Sequence, residues 1–310
     1  MRKVAILVGL LIALVACDKA TQNNLGIASQ EASASAYTTS STKTEILDDA
    51  FNKYWYQGKA EITSYKLSQA RYGEIHEGSA VLIYVTEPFL PQKQVKADYP
   101  NKQNVPVLKL NRVKKFLTGI YPYSLMTSVF SPVNMSDPAI KTTFTSQEWC
   151  GQTFMQFNNR KKWEVTSRSY FESHGDQNFT LSKDLLEDDI WTKIRLNPKK
   201  LPTGKTTMIP GAEFLTLKHR KVKAYKVVLS LEQKGKLSTY KIAYPQLQRT
   251  LAIQFQANFP YTIESWEEVQ SNRSGSKSLV TKATRIKRIK SAYWNRHTTQ
   301  DTYLYKELGL

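Results

Sequence analysis

The stretch that decides the fold is residues 223–244, which read KAYKVVLSLEQKGKLSTYKIAY. Apolar residues alternate with polar or smaller ones on both sides of a central turn at 233–236. They are Tyr225, Val227, Leu229 and Leu231 before the turn and Tyr240, Ile242 and Tyr244 after it. Because successive side chains of a strand point to opposite faces, this period of two predicts a long β-hairpin with one apolar face.

The same period recurs elsewhere and predicts further strands. Leu251, Ile253 and Phe255 alternate in this way. Residues 81–85 form a short apolar run, closed by Pro88, that is typical of a strand buried on both faces. The remaining predicted strands are 59–67, 106–117, 142–157, 177–181, 212–219, 278–289 and a short one at 163–165.

Helical signals are few. Acidic residues follow Ser182, and Asn197 with Pro198 ends that segment, which predicts one short helix. A second helix is predicted within 44–54 from apolar residues at helical spacing. Since strands do not alternate regularly with helices, we predict a mainly β protein: an antiparallel curved sheet or half-open barrel with one or two short helices.

Composition and charge narrow the class of partner. The chain has 310 residues, with 44 Lys and Arg against 26 Asp and Glu, for a net charge of +18. Its hydrophobic content of 41% is enough for a globular core. So positive a protein is attracted to anionic phospholipid or anionic polymers.

The N-terminus indicates export. Arg2 and Lys3 precede residues 4–16, which carry no charge. Thirteen helical residues span roughly 20 Å, less than the ~30 Å hydrocarbon core of a bilayer. The pattern therefore favours a signal peptide over a permanent transmembrane helix.

The apolar run ends in Leu14-Val15-Ala16-Cys17. This sequence resembles the lipobox of bacterial lipoproteins. The resemblance implies export, diacylglycerol attachment to the Cys17 thiol, cleavage before Cys17 and acylation of the new amino group. The predicted location is the cell envelope, and the partner is a membrane bound through the lipid at Cys17. Asp18 resembles the signal that retains some lipoproteins in the inner membrane, although the choice of membrane stays open.

Three regions follow from this reading. Residues 1–16 are the signal peptide, 17–44 a disordered tether rich in Ser, Thr, Ala, Gln and Asn, and 45–310 the folded body. The tether spans roughly 30 Å on average. A boundary between two lobes, if the body has them, is expected near 174–178. Without Arg2 and Lys3, the mature chain keeps 42 basic and 26 acidic residues, a charge of +16.

Cys150 is the other of the two cysteines, so lipidation of Cys17 leaves no intrachain disulfide. Our main interpretation makes residues 147–152 part of a core strand with Cys150 buried beside Phe144 and Phe154. The alternative makes Cys150 a nucleophile activated by His174 or His219, in a cysteine hydrolase acting on envelope substrates.

Other catalytic and cofactor motifs are incomplete. Gly204-Lys205-Thr206 lacks the first glycine of a phosphate-binding loop, because Lys199 occupies that position. His76-Glu77 begins like a zinc-protease motif without its second histidine. We therefore predict no metal and no cofactor, and expect all four histidines, which include His297, at surface or turn positions.

The Cys150 segment, the lipobox and the β-rich body together resemble uncharacterised bacterial lipoproteins labelled "septum formation inhibitor Maf". The Maf nucleotide pyrophosphatases carry a Ser-x-Ser-Pro-Arg-Arg loop and an α/β pattern. This chain has neither, so the resemblance implies no pyrophosphatase activity. The order of elements also resembles lipoprotein-carrier and related periplasmic folds, in which a curved antiparallel sheet encloses helices and an apolar cavity.

The densest basic cluster gives the last candidate site. It comprises Arg285, Lys287, Arg288 and Lys290, followed by Tyr293 and Trp294. We predict contact with a membrane surface or an anionic ligand, the alternative being a solvated strand face. Nucleic acid is not expected in this compartment. The predicted function is a non-enzymatic binding module for lipid, anionic envelope polymer or a partner protein, with the Cys150 hydrolase as the alternative.

Overall fold

A computed structural model describes residues 49–172, 174–271 and 278–310. Within these residues, sixteen strands form one sheet, accompanied by four short α-helices. The predicted mainly β, antiparallel architecture is confirmed, and the sheet does not close into a barrel.

The helices are α1 (Asp49–Trp55), α2 (Glu187–Leu196), α3 (Ala212–Leu217) and α4 (Thr302–Glu307). The strands are β1 (Ala60–Arg71), β2 (Glu74–Leu90), β3 (Val95–Lys96), β4 (Val105–Thr118), β5 (Tyr121–Pro132), β6 (Lys141–Glu148), β7 (Gly151–Asn159), β8 (Trp163–Ser169), β9 (Gln177–Leu181), β10 (Leu185–Leu186), β11 (Gly204–Ile209), β12 (Tyr225–Lys234), β13 (Leu237–Tyr244), β14 (Arg249–Gln256), β15 (Ile263–Gln270) and β16 (Val280–Ser291).

Two consecutive runs of strands build the sheet. One runs from β1 to β9 and the other from β10 to β16, and antiparallel pairing of β1 with β16 joins them. The two edge strands are β9 and β10, which follow each other in the chain. Only β10 and β11 pair in parallel among the described strands. The sheet therefore stays open between β9 and β10.

The hairpin at 225–244 forms as predicted. Leu229 pairs with Ile242 and Leu231 with Tyr240. The turn is the two residues 235 and 236, and Gly235 adopts the left-handed conformation that such turns need (φ 60°). The alternating residues face the core, which confirms the period-two argument.

The core lies on one face of the sheet, here called the inner face, and α2 packs onto it. Ile190, Trp191 and Ile194 of this helix are almost fully buried. The Tyr84 hydroxyl of β2 donates to the Trp191 carbonyl oxygen at 3.0 Å. Each large side chain buried in this way contributes about 1.5–3 kcal/mol. On the opposite, outer face, Leu308 after α4 packs against Ala60, Ile62 and Val85.

Four predictions about secondary structure need correction. Residues 142–157 are two strands, β6 and β7, joined by a two-residue turn at Trp149 and Cys150. Residues 212–217 form α3 rather than a strand, because a helix enclosed by a sheet lacks the polar face that marks helical periodicity. Pro88 lies within β2 instead of closing it. There are four helices rather than one or two.

The two predicted helices are present. The helix predicted after Ser182 is α2, preceded by the short strand β10. The helix predicted within 44–54 corresponds to α1, which begins at Asp49, and residues 44–48 lie outside the described part of the chain.

Candidate functional site

Buried ion pairs hold α2 on the inner face. Arg195 of this helix meets Glu61 of β1 through two parallel contacts of 2.6 and 2.8 Å, the geometry in which Arg binds carboxylate best. The other buried pairs are Arg249 with Glu187 and Glu268, Arg112 with Asp188 and Glu213, and Lys114 with Glu213. Asp189 accepts the Ala139 backbone N–H at 3.0 Å. Every acidic side chain of α2 thus has a partner.

These pairs perturb titration without leaving room for a ligand. Burial opposes ionisation of Glu268, but Arg249 outweighs it and lowers the pKa of that carboxyl to about 2. Against the same opposition from burial, Arg195 lowers the pKa of Glu61. The space among Arg112, Arg249 and Glu268 is about 10 Å³, close to one water molecule. We therefore assign these charges to holding the helix.

A much larger cleft lies at the open side of the sheet. Its volume is about 980 Å³, at the upper end of the range for small-molecule sites. One wall is β7, β8 and β9, and the other is residues 215–223, which comprise the end of α3 and most of the connection to β12. Its apolar lining consists of Phe154, Met155, Phe171, Phe179, Leu181, Leu215 and Val222.

Basic residues form the lip of this cleft. Arg220, Lys221 and Lys223 are exposed and line it. Within the residues that the structure describes, none of the three forms an ion pair, although Lys223 Nζ lies 5.0 Å from the Tyr225 ring centroid. The acid at the cleft, Asp176, lies 3.7 Å from Arg168. The lip is therefore positively charged.

Two predicted histidines meet at the same cleft. The ring centroids of His174 and His219 are 4.9 Å apart, and the Phe171 ring meets His219 edge-on at 5.3 Å. Burial, His174 and Arg71 together lower the pKa of His219. The lowered pKa disfavours the charged form of His219. Among the described residues, no three His, Cys, Asp or Glu side chains are grouped as a metal site would need.

Cys150 is exposed, so the prediction of a buried core cysteine is wrong. The reason is local: Glu148 pairs with Gly151, which leaves Trp149 and Cys150 in the turn. The groups facing the thiol are Glu148 and Tyr170, and the hydrogen bond to Glu148 raises the thiol pKa. A raised pKa disfavours the thiolate that a nucleophile needs.

The basic run of β16 is divided between the two faces of the sheet. Arg285, Arg288 and Lys290 lie on the inner-face side, because they pair with Tyr65, Thr63 and Glu61 of β1. Lys287 is opposite Ser64 and points to the outer face. An extra residue at Ile286 causes part of this arrangement, since the register shifts there.

The heads of that run have partners. Arg285 Nε lies 2.8 Å from Glu264, and Lys287 Nζ lies 3.8 Å from Glu307. Lys290 Nζ lies 3.4 Å from the Tyr54 ring centroid and donates to the Tyr54 carbonyl oxygen. Burial lowers the pKa of Lys290 to about 8. Contact of this run with a membrane or an anion stays a prediction.

None of the other predicted site residues that the structure describes lines the cleft. His76 Nε2 is 3.1 Å from the Arg71 carbonyl oxygen, and His297 is exposed. Gly204, Lys205 and Thr206 begin strand β11. Cys17 lies outside the described residues.

Sequence reasoning missed the cleft, although one signal was present. Residues 218–223 read KHRKVK, which is as basic as the predicted site at 285–290 on β16. The apolar lining gave no local signal, because residues 177–181 and 215–222 meet only through the fold.

Comparisons with known proteins add no relative. No family model, no curated protein and no solved structure matches this chain. Among the described residues, no helix has both the length and the apolar character needed to span a membrane.

Proposed function

We propose that this protein is a cell-envelope lipoprotein, anchored to a membrane through a lipid on Cys17, whose folded body is a non-enzymatic binding module. The ligand we propose is an amphiphile with an acyl chain and an anionic head. The observation that carries the proposal is the cleft of about 980 Å³, which combines an apolar lining with a basic lip.

The two parts of the cleft suit the two parts of such a ligand. An acyl chain lying against Phe179, Leu181 and Leu215 gains about 0.8 kcal/mol for each buried methylene. The head would lie at Arg220 and Lys221 on the lip of the cleft. Charges without an ion-pair partner can bind an anion without first breaking an internal pair.

Anchoring is tested by fatty-acid labelling of the full chain in cells. Cys17→Ser should abolish incorporation of a clickable fatty acid, because the acylated thiol is removed. Cys150→Ser is the matched control and should label like the native protein. Equal labelling of the Cys17→Ser variant would contradict the anchor.

Ligand binding is tested with two lysophospholipids of identical chain, below their micelle concentrations. We expect the mature protein to bind lysophosphatidylglycerol more tightly than lysophosphatidylcholine, because only the former has a net negative head. Val222→Trp should weaken both by filling the cleft, whereas Val228→Trp, at an exposed position on β12, should not. The proposal would be contradicted if the two lysophospholipids bound with equal affinity and Val222→Trp changed neither affinity.

A further inference from the structure

Three tight turns at one end of the sheet carry large apolar residues. They join β1 to β2, β4 to β5 and β6 to β7, and each has two residues between its last paired positions. Because these strands are antiparallel neighbours, all three turns project from the same end. Their tips present Tyr72, Ile120 and Trp149, which are 61, 79 and 66% exposed.

Turn chemistry does not explain these residues. Two-residue turns favour Asn, Asp and Gly, which adopt left-handed backbone conformations and remain solvated. Tyr72 has φ 53°, a conformation that bulky side chains rarely adopt. By contrast, the turns at 160–162 and 235–236, at the other end of the sheet, contain only Arg, Lys and Gly. Among the tight hairpin turns of the described residues, large apolar tips therefore occur at one end, whereas the longer connection between β2 and β4 at the other end exposes Tyr99.

Aromatic contacts through Tyr121 and Tyr123 link two of the three tips, Tyr72 and Trp149. The Tyr72 and Tyr123 hydroxyl oxygens are 2.6 Å apart, and the Tyr121 ring lies 6.4 Å from the Trp149 ring. Beyond Trp149, the exposed Tyr170 and Phe171 have ring centroids 4.2 Å apart. We name as the apolar rim the five exposed side chains Tyr72, Ile120, Trp149, Tyr170 and Phe171.

The rim adjoins the mouth of the cleft. Phe171 lines the cleft and contacts His219 on its opposite wall. Arg71, next to Tyr72, donates to the Leu217 carbonyl oxygen at 2.6 Å, which ties the first turn to the end of α3. A surface that covers the rim would thus face the cleft entrance.

We propose that the apolar rim docks on the lipid bilayer, so that the cleft opens toward the membrane. Trp and Tyr have an apolar ring with a polar edge and are enriched at headgroup depth, with aliphatic side chains such as Ile120 reaching further in. Exposed apolar groups on projecting tips are typical of such contacts.

The bilayer is also the surface within reach, and here the inference rests on the proposed lipid anchor. Between Cys17 and Asp49 lie 31 residues, which reach about 100 Å when extended. Strand β1 has 12 residues, about 40 Å. The rim can therefore meet the membrane even though α1 lies at the opposite end of β1.

The test uses Cys150, which lies beside Trp149 in one rim turn. The full mature protein, with Cys17 acylated, is labelled at Cys150 with a fluorophore and placed in phosphatidylethanolamine and phosphatidylglycerol vesicles containing a nitroxide lipid. The matched control carries Cys150→Ser and Tyr99→Cys, since Tyr99 is 73% exposed at the opposite end. We expect the nitroxide lipid to quench the label at 150 several-fold more than the label at 99.

Variants make the result specific to the rim. Ile120→Ser with Trp149→Ser should reduce quenching at 150 to the level at 99, whereas Met126→Ser, an exposed position on the strand face, should not. Equal quenching of the labels at 150 and 99 overturns the proposal. Protection of the label at 150 from an aqueous quencher that appears only when a second protein is added also overturns it, because the rim would then bind that protein. Intact mass reports acylation of Cys17 separately. If Cys17 is not acylated, the non-acylated protein is mixed with the same vesicles. The ratio of quenching at 150 to quenching at 99 then tests whether the rim contacts the bilayer without the anchor.

Discussion

Charged side chains line the inner side of the sheet in two places, around α2 and along the cleft. Around α2, Arg112, Arg195 and Arg249 each contact a buried carboxylate, and the remaining space holds about one water. Along the cleft, Arg220 and Lys221 have no such partner among the residues that the structure describes, and the space is about 980 Å³.

The difference separates the charges that hold the fold together from those that we propose bind a ligand. A buried charge persists only when it is paired, because its desolvation cost is otherwise too high. An exposed, unpaired charge next to an apolar surface keeps its attraction for an anion outside the protein. Substitutions at the two places should therefore affect different measurements.

The largest effect is expected for Arg249→Met. This change leaves Glu187 and Glu268 without their partner, and Glu187 is almost fully buried. Removal of one partner of a buried ion pair costs about 3–5 kcal/mol, measurable as the free energy of unfolding in urea. Lys226→Met, on the exposed side of β12, should stay within about 0.5 kcal/mol of the native protein. A loss below about 1 kcal/mol for Arg249→Met would contradict the structural role.

Acid should weaken the same region in a defined pH range. The Glu268 pKa falls from its ordinary 4.5 to about 2 in the folded state, mainly through Arg249 acting against burial. The folded-state value is depressed, so the stabilisation is complete above pH 4.5 and is lost as pH falls through 2. Glu268→Gln should have a lower free energy of unfolding than the native protein at pH 6, and this difference should shrink toward pH 2. A difference that does not change with pH would mean that ionisation of Glu268 is not its cause.

At the cleft we expect lost binding without lost stability. Arg220→Gln, Lys221→Gln and Lys223→Gln combined should weaken lysophosphatidylglycerol binding about tenfold, or ~1.4 kcal/mol, while urea unfolding changes by less than about 0.5 kcal/mol. The matched control replaces Lys226, Lys234 and Lys241 by Gln, which removes the same charge outside the cleft. Equal weakening by both triple variants would mean that net charge, rather than the lip, attracts the ligand.

The smallest effect sharpens the comparison at β16. Lys287→Gln should change the unfolding free energy by less than about 0.5 kcal/mol, because its pair with Glu307 is exposed. Arg288 Nη1 lies 4.0 Å from the fully buried Glu61, so Arg288→Gln should cost about 1 kcal/mol. Equal losses of unfolding free energy in the two variants would show that the inner-face and outer-face residues of this run contribute equally to stability.

The sequence predicts the sheet better than it predicts what the sheet encloses. The alternation at 225–244 and 249–256 indicates strands with one more buried face and one more exposed face. It can be read from neighbouring residues alone, without knowledge of the tertiary fold. Segment α3 has no solvated face, since Ala212, Phe214 and Leu215 are all buried, and its pattern was indistinguishable from a strand. Trp149 and Cys150 are unusual turn residues, so their turn gave no recognisable signal.

The cleft and the paired interior depend on tertiary contacts. Glu61 and Arg195 are 134 residues apart, and only the fold shows that they neutralise each other. The basic residues at 218–223 were visible as a run, but charge alone does not distinguish a ligand lip from the partnered run at 285–290. The distinguishing feature is the absence of a facing carboxylate, which requires the structure.

The most direct test of the binding proposal is photo-crosslinking with lysophosphatidylglycerol that carries a diazirine in its acyl chain. The mature protein is irradiated with the probe, and the modified peptides are mapped by mass spectrometry. We expect labels in 177–181 and 215–223 that excess unlabelled lysophosphatidylglycerol removes and that are weaker in Val222→Trp. Labels spread over side chains of the outer face would contradict the binding proposal. Labels in the cleft that neither Val222→Trp nor the competitor reduces would also contradict it.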